Sequence, residues 1–314
     1  MRLPGENLTK LSVFLLLFFI HTSLSAQYLR DRTRVSLQGQ GFSESRILEL
    51  YDSVDVHPLR FDNVFSIPEI DVGFGARQFP LLFDFGNSGN ITITTALEDA
   101  IEYQVTGSMK TYTADGRDRG QGFIIVIPQL KILHSTFQNE TGSLMDWRIY
   151  ATEPFNGMVG LKYFDNTCMT VSYRDKSLAV SQTSITDRLT DANSRAIELL
   201  DISSHPFGIH FRGKLNSDNV IVYFDTGKSA SFVNSDLLAS AKIETDKTGS
   251  YYQDAVQVAF GDLDFEISYP RVKSIRRDID DDMPVGMEVG SDVLKHFAFT
   301  IDRTNNRNQL IIHK

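Results

Sequence analysis

One short segment of this chain occurs twice, each time as an apolar run leading into an Asp-x-Gly-x-Ser turn. The first copy, PLLFDFGNSGNIT, carries Asp84, Gly86 and Ser88; the second, VIVYFDTGKSASF, carries Asp225, Gly227 and Ser229. Leu81, Leu82 and Phe83 precede the first turn, and Ile221, Val222, Tyr223 and Phe224 precede the second. Continuous apolar runs of this kind predict strands covered on both faces. A glycine two residues past each Asp lets the backbone turn sharply where the strand ends. Each turn therefore holds a carboxylate at the tip of a rigid strand.

The duplication extends past the turns. Val159-Gly160 matches Val289-Gly290, and Met169-Thr170-Val171 matches Phe299-Thr300-Ile301. The two Asp are 141 positions apart and the two glycines 130, so the halves share one order of elements and the first carries an insertion. Tandem copies of one supersecondary unit predict two lobes, with the Asp-bearing turns meeting where the lobes touch. The expected architecture is all-β with a few short helices, arranged as two lobes.

At its start, Arg2 and Lys10 make a weakly positive region ahead of an apolar stretch over residues 11–20, which small residues around Ser23, Ser25 and Ala26 follow. That stretch is too short to cross a hydrocarbon core of about 30 Å. It reads as a signal peptide over residues 1–26 with cleavage after Ser25 or Ala26, and the mature chain is expected to be exported, with no membrane span. The formal net charge of −9 argues against a nucleic-acid partner. A single cysteine, Cys168, excludes an intrachain disulfide framework, and its neighbours Thr167 and Met169 mark it as a buried core thiol. Export without disulfides fits a bacterial envelope protein, periplasmic or secreted.

Residues 27–64 form a leader in which SESRILELYDSV predicts a short amphipathic helix. The first lobe is expected over 65–182, a connection over 183–206 and the second lobe over 207–314. Inside the first lobe, 94–103 predicts a helix capped by Thr94 or Thr95, and strands follow at 123–127 and 130–133. Residues 184–200 predict a linking helix, and 235–241 a short one. Strands are expected around Ile209 and Val220, and the acidic run 278–282 reads as a solvated loop. His205 and His210 lack further ligands at metal-binding spacing, so no metal and no cofactor are expected.

With these residues in view, the chain resembles the aspartic peptidases. The order within each half is similar to a retropepsin-like lobe, and the fused pair is similar to pepsin-like enzymes, which implies two acid-protease-like β-barrel lobes with a cleft between them. The resemblance spans about residues 65–314. It implies that Asp84 and Asp225 form a catalytic dyad sharing one proton and activating water to cleave a peptide or protein, in a chain that works as a monomer. It implies that Gly86 and Gly227 shape the turns and that Ser88 and Ser229 bond the outer oxygens of their own carboxylates. Thr226 would reach across to the other lobe. Residues 107–122 occupy the place of the family's flap, with Gly107, Tyr112 and Gly116 as its candidate residues and 249–252 as a shorter counterpart. Phe85 departs from the pattern, standing where the family has Thr or Ser, so one of the two reciprocal cross-lobe bonds has no hydroxyl to make it. That departure favours an alternative, a catalytically inactive pseudo-peptidase binding extended peptides in the same cleft; a third reading is an envelope scaffold that binds no peptide. Asp84-Phe85-Gly86 also spells a kinase triplet and Gly227-Lys228-Ser229 the end of a Walker A loop, but neither has the surrounding motif.

Overall fold

The computed structural model describes residues 33–37, 45–52, 55–63, 66–87, 89–112, 118–146, 155–188, 196–246, 249–261, 263–275 and 282–313. The signal segment, Ser88, Gly116 and residues 278–281 of the acidic run lie outside them. The chain is all-β, with 54% strand and 11% helix, and contains a closed six-stranded barrel and a half-barrel sheet.

The first lobe is built on the hairpin Glu69–Phe74 and Arg77–Phe83. Strand Glu69–Phe74 also pairs with Asp118–Ile132, and this closes the barrel. The apolar end of Arg77–Phe83 runs parallel to Gly157–Val159, with Phe83 opposite Val159. The strand after the turn, Thr92–Thr94, lies antiparallel to Gly157–Val159. The second lobe repeats the plan. Ile209–Leu215 and Asp218–Phe224 form the hairpin, Asp218–Phe224 runs parallel to Val285–Val289, and Phe232–Asn234 lies antiparallel to it. Leu81, Phe83, Val222 and Phe224 are fully buried, as their unbroken apolar runs require.

The halves meet in a six-stranded sheet whose central pair is Cys168–Ser172 against Ala298–Asp302. Thr170 stands opposite Thr300 and Met169 opposite Ile301, so the repeated strands pair with each other. Cys168 is buried here as a free thiol.

Several local expectations give way to tertiary pairing. Residues 94–103 hold no α-helix: Thr94 ends a strand, its hydroxyl caps Ala96 N–H at 3.3 Å, and one 3-10 turn follows over Thr95–Leu97. Strand Asp118–Ile132 is continuous across both stretches expected as separate strands. In the connection, Ala196–Glu198 is a strand, recruited by Gln309–His313, and the described helical part is only Thr186–Arg188. Residues 235–241 form two 3-10 turns, Ser235–Leu237 and Ser240–Lys242. The leader is part of the fold: Arg34–Leu37 pairs with Leu263–Ser268 of the second lobe, and Val56–Pro58 pairs with Ser177–Ser181 in the central sheet.

Candidate active site

The two Asp turns are built alike. Asp84 N–H donates to Val159 O at 3.0 Å, and Asp225 N–H to Val289 O at 2.9 Å. These bonds extend the parallel pairings by one residue and so fix where each strand ends. Each turn closes with a backbone bond back to its Asp carbonyl, from Asn87 N–H at 3.1 Å and from Lys228 N–H at 3.2 Å. Gly86 N–H donates to Asp84 Oδ1 at 2.7 Å, and Gly227 N–H to Asp225 Oδ1 at 3.1 Å. Both carboxylates are therefore held by their own turns.

The glycines serve a second purpose across the lobes. A Cβ on Gly86 would lie 2.7 Å from Asp225 Oδ1, and one on Gly227 would lie 2.2 Å from Asp84 Oδ1. Each turn thus leaves room for the opposite carboxylate, and a methyl group at either position would expel it. Thr226 locks the register. Its hydroxyl accepts from Phe85 N–H at 2.9 Å and donates to Phe83 O at 2.5 Å. Tyr223 adds a weaker strut, its hydroxyl donating to Phe85 O at 3.4 Å.

Enclosure and a neighbouring carboxyl both act on Asp84. Burial and then the neighbouring charge of Asp225 push Asp84 up to about 8, and a hydrogen bond between the two side chains acts in the same direction. Gly86 N–H and Lys228 oppose the shift. Asp84 is partly exposed as a residue although its carboxyl is enclosed, whereas Asp225 is only 5% exposed. Lys228 Nζ lies 3.2 Å from Asp225 Oδ2 and also pairs with Glu288, a buried residue that Lys273 reaches at 2.6 Å. Burial resists the charge on Glu288, but the two lysines outweigh it and hold its carboxyl down at about 2. Two carboxyls in contact, one of them protonated at neutral pH, can accept a proton on one side and donate one on the other.

No protein-family model matches the chain, and no curated protein matches it. The site therefore rests on its own geometry.

Of the residues singled out in the sequence, Asp84, Asp225, Gly86, Gly227 and Thr226 come together. Ser229 is exposed and, among the described residues, bonds neither carboxylate; Lys228 stands at Asp225 Oδ2 instead. Ser88 lies outside the described residues. Strand Gln104–Tyr112 pairs with Asp118–Ile132 as the expected hairpin, with Gly107 opposite Ile124. Tyr112 ends its first strand, its side chain lies outside the described set, and so do 113–117 with Gly116. Ile243–Asp246 and Gly249–Tyr252 form the shorter counterpart. Among the described residues no group of His, Cys, Asp or Glu could hold a metal ion, and no helix is long and apolar enough to cross a membrane.

Sequence reasoning missed Lys228, Glu288 and Lys273. The available signal was Glu288 itself, a lone carboxylate inside the otherwise uncharged strand VGMEV. A charge in a buried strand requires a partner, and Lys228 is the cation three residues past an Asp already under suspicion.

Proposed function

We propose that the chain is an aspartic-type endopeptidase, resembling the pepsin-like enzymes, that hydrolyses peptide bonds of an extended peptide or protein. The observation that carries this reading is the contact between Asp84 and Asp225, carboxyls at the ends of equivalent strands in duplicated lobes, each cradled by the other's glycine. The ionised carboxylate takes a proton from a water molecule as its oxygen bonds to the scissile carbonyl carbon. The neutral carboxyl donates its proton to the carbonyl oxygen. Collapse of the tetrahedral species returns a proton to the leaving amine and frees an acid and an amine product. Both lobes are in one chain, which supports action as a monomer. The first 26 residues support export, to the periplasm or beyond.

The inactive peptide-binding alternative stays in view because of two observations. Phe85 offers no hydroxyl for the second cross-lobe bond, and Lys228 pairs with Asp225. Incubation of the mature protein with a random peptide library from acid to neutral pH separates the readings. Cleavage that disappears in Asp84→Asn and in Asp225→Asn supports the enzyme. Peptide binding without cleavage at any pH supports the alternative.

A further inference from the structure

The two carboxyls sit in turns of matching shape but in different charge environments. Three residues past Asp84 stands Asn87, whose side chain is spent locally: its Oδ1 accepts from Gly89 N–H at 3.2 Å and its amide donates to Asn90 O at 3.4 Å. Three residues past Asp225 stands Lys228, with Nζ 3.2 Å from Asp225 Oδ2. Lys228 is not a loose surface cation. Glu288, on the strand that receives Asp225 N–H through Val289, binds it from below, and Lys273 on strand Arg271–Lys273 binds the same Glu288 at 2.6 Å. The order of charges is therefore Asp225, Lys228, Glu288, Lys273, alternating in sign. Glu288 has 4% side-chain exposure, so this chain is anchored in the lobe.

We infer that Lys228 is a positioning residue that pins the negative charge of the pair on Asp225 and leaves the shared proton on Asp84. The inference deepens the peptidase reading and rests on it for its catalytic consequence: Asp225 becomes the base toward water and Asp84 the acid toward the carbonyl. An ammonium this close favours the ionised form of the carboxylate it touches and does less for the one beyond it. The upward shift of Asp84, to which the neighbouring Asp225 contributes, agrees with that division. Other titratable groups facing the pair do not offset it. Tyr173, buried and raised by burial, is neutral and bonds Ser291 Oγ at 3.0 Å. Tyr223 gives its proton to Phe85 O. Asp292, on the helix Ser291–Leu294, has Oδ1 occupied by Ser231 N–H at 2.8 Å and Ser231 Oγ at 2.6 Å. Among the described residues, Lys228 is the cation in contact with the pair. It lowers the pH at which the pair first loses a proton and so widens the range in which one carboxyl is charged and the other is not.

Two measurements on Lys228→Gln and Lys228→Arg test this. In the pH profile of kcat/KM, Lys228→Gln is expected to raise the acid limb by about 1–3 pH units and the alkaline limb by less. Lys228→Arg keeps the cation and is expected to keep the wild-type profile. A Lys228→Gln profile that only scales down, with both limbs unmoved, overturns the inference, because a merely structural lysine would do that. The second measurement needs no turnover: carbon-13 NMR titration of labelled Asp carboxyls, assigned with Asp84→Asn and Asp225→Asn. The expected result is a protonated Asp84 beside an ionised Asp225 near neutral pH, with the first step moving upward in Lys228→Gln. A proton found on Asp225, or a first step indifferent to Lys228, overturns the inference whether or not the protein cleaves peptides. The expected titration in a protein that cleaves nothing would sink the peptidase reading and leave the charge assignment standing.

Discussion

Thr226 of the second lobe holds Phe85 of the first by its backbone, and Phe85 has no side-chain hydrogen bond to return. The Thr226 hydroxyl is buried and takes two bonds, from Phe85 N–H and to Phe83 O, across a sequence separation of 141 and 143 residues. Its counterpart position holds a ring where a second hydroxyl would complete the symmetry. The dyad is thus clamped from one side, with Tyr223 helping through Phe85 O.

Replacing Thr226 with Val keeps the shape and removes both bonds. A buried N–H left without a partner costs about 1–3 kcal/mol, so denaturant unfolding is expected to show a loss of that size. The proposed peptide cleavage is expected to fall more steeply than stability, since a displacement of the carboxyls alters the chemistry itself. Equal loss in both would mean that Thr226 supports the fold without holding the pair.

Phe85→Thr would restore the missing hydroxyl, and the structure indicates that it fails to help. The Phe85 ring is 1% exposed and meets Phe83 edge-on at 5.1 Å and Phe299 at 5.9 Å. Those partners come from both lobes, so the ring is itself part of the contact between them. Truncating a buried Phe costs about 3–5 kcal/mol, and a regained hydrogen bond contributes about 0.5–1.5 kcal/mol. The expected outcome is a much lower melting temperature with no gain in the proposed peptide cleavage. Higher turnover at near-native stability would show that the ring is dispensable.

How far the sequence could be read follows from where the information sits. The Asp turns and their strands are local features: a buried apolar run, an Asp and a glycine within a dozen residues. The equivalence of Thr170 and Thr300 was equally legible because both halves carry the same strand, but their pairing across the central sheet is a contact that the repeat alone does not announce. Ala196–Glu198 was not, because a distant strand, Gln309–His313, draws it into extended form against its local helical pattern. Strand Thr92–Thr94 likewise gains Ser143–Met145 as a parallel neighbour, which nothing nearby announces. Lys228 needed Glu288 beside it, sixty residues later in the chain. Chemistry that depends on such separated charges is written in contacts rather than in spacing.

The leader is expected to stabilise rather than restrain. Tyr51 is buried, and its hydroxyl meets Thr170 Oγ1 at 2.8 Å in the central sheet. Ile47 and Tyr51 pack with Cys168, Ala179 and Ile185. Removing residues up to 58 would strip strands from both the second lobe and the central sheet and expose that cluster. Burying one such large apolar side chain is worth about 1.5–3 kcal/mol, so the truncated protein is expected to melt several degrees lower. A truncated protein of unchanged stability and raised activity would make the leader a removable inhibitory segment instead.

A buried histidine gives stability a dependence on pH that can be isolated. His313 is 2% exposed, and its Nε2 lies 2.6 Å from Thr300 Oγ1. Thr300 in turn meets Thr170 at 2.5 Å, and Thr170 meets Tyr51, so the ring ends a polar chain crossing the central sheet. Burial lowers the His313 pKa from 6.5 to about 4. Between those values the unfolded chain binds a proton that the folded protein refuses, so this group makes stability fall as pH falls from about 6.5 to 4. The full shift corresponds to about 3 kcal/mol, and below pH 4 His313 adds nothing further. Asp84 works the other way over part of the same range. Raised to about 8 in the folded protein, it keeps a proton that the unfolded chain has lost, and stability rises as pH falls through 8 toward the ordinary carboxylate range. The wild-type curve is therefore flattened where the two overlap, and the difference between proteins is the quantity to measure. His313→Gln retains a group able to bond Thr300 and cannot take up the proton. The stability of wild type relative to His313→Gln is expected to drop by about 3 kcal/mol between pH 7 and 4, read from denaturant midpoints at each pH. Curves that run parallel would mean that His313 is protonated in the folded state at no cost, and that the sheet opens to accommodate it.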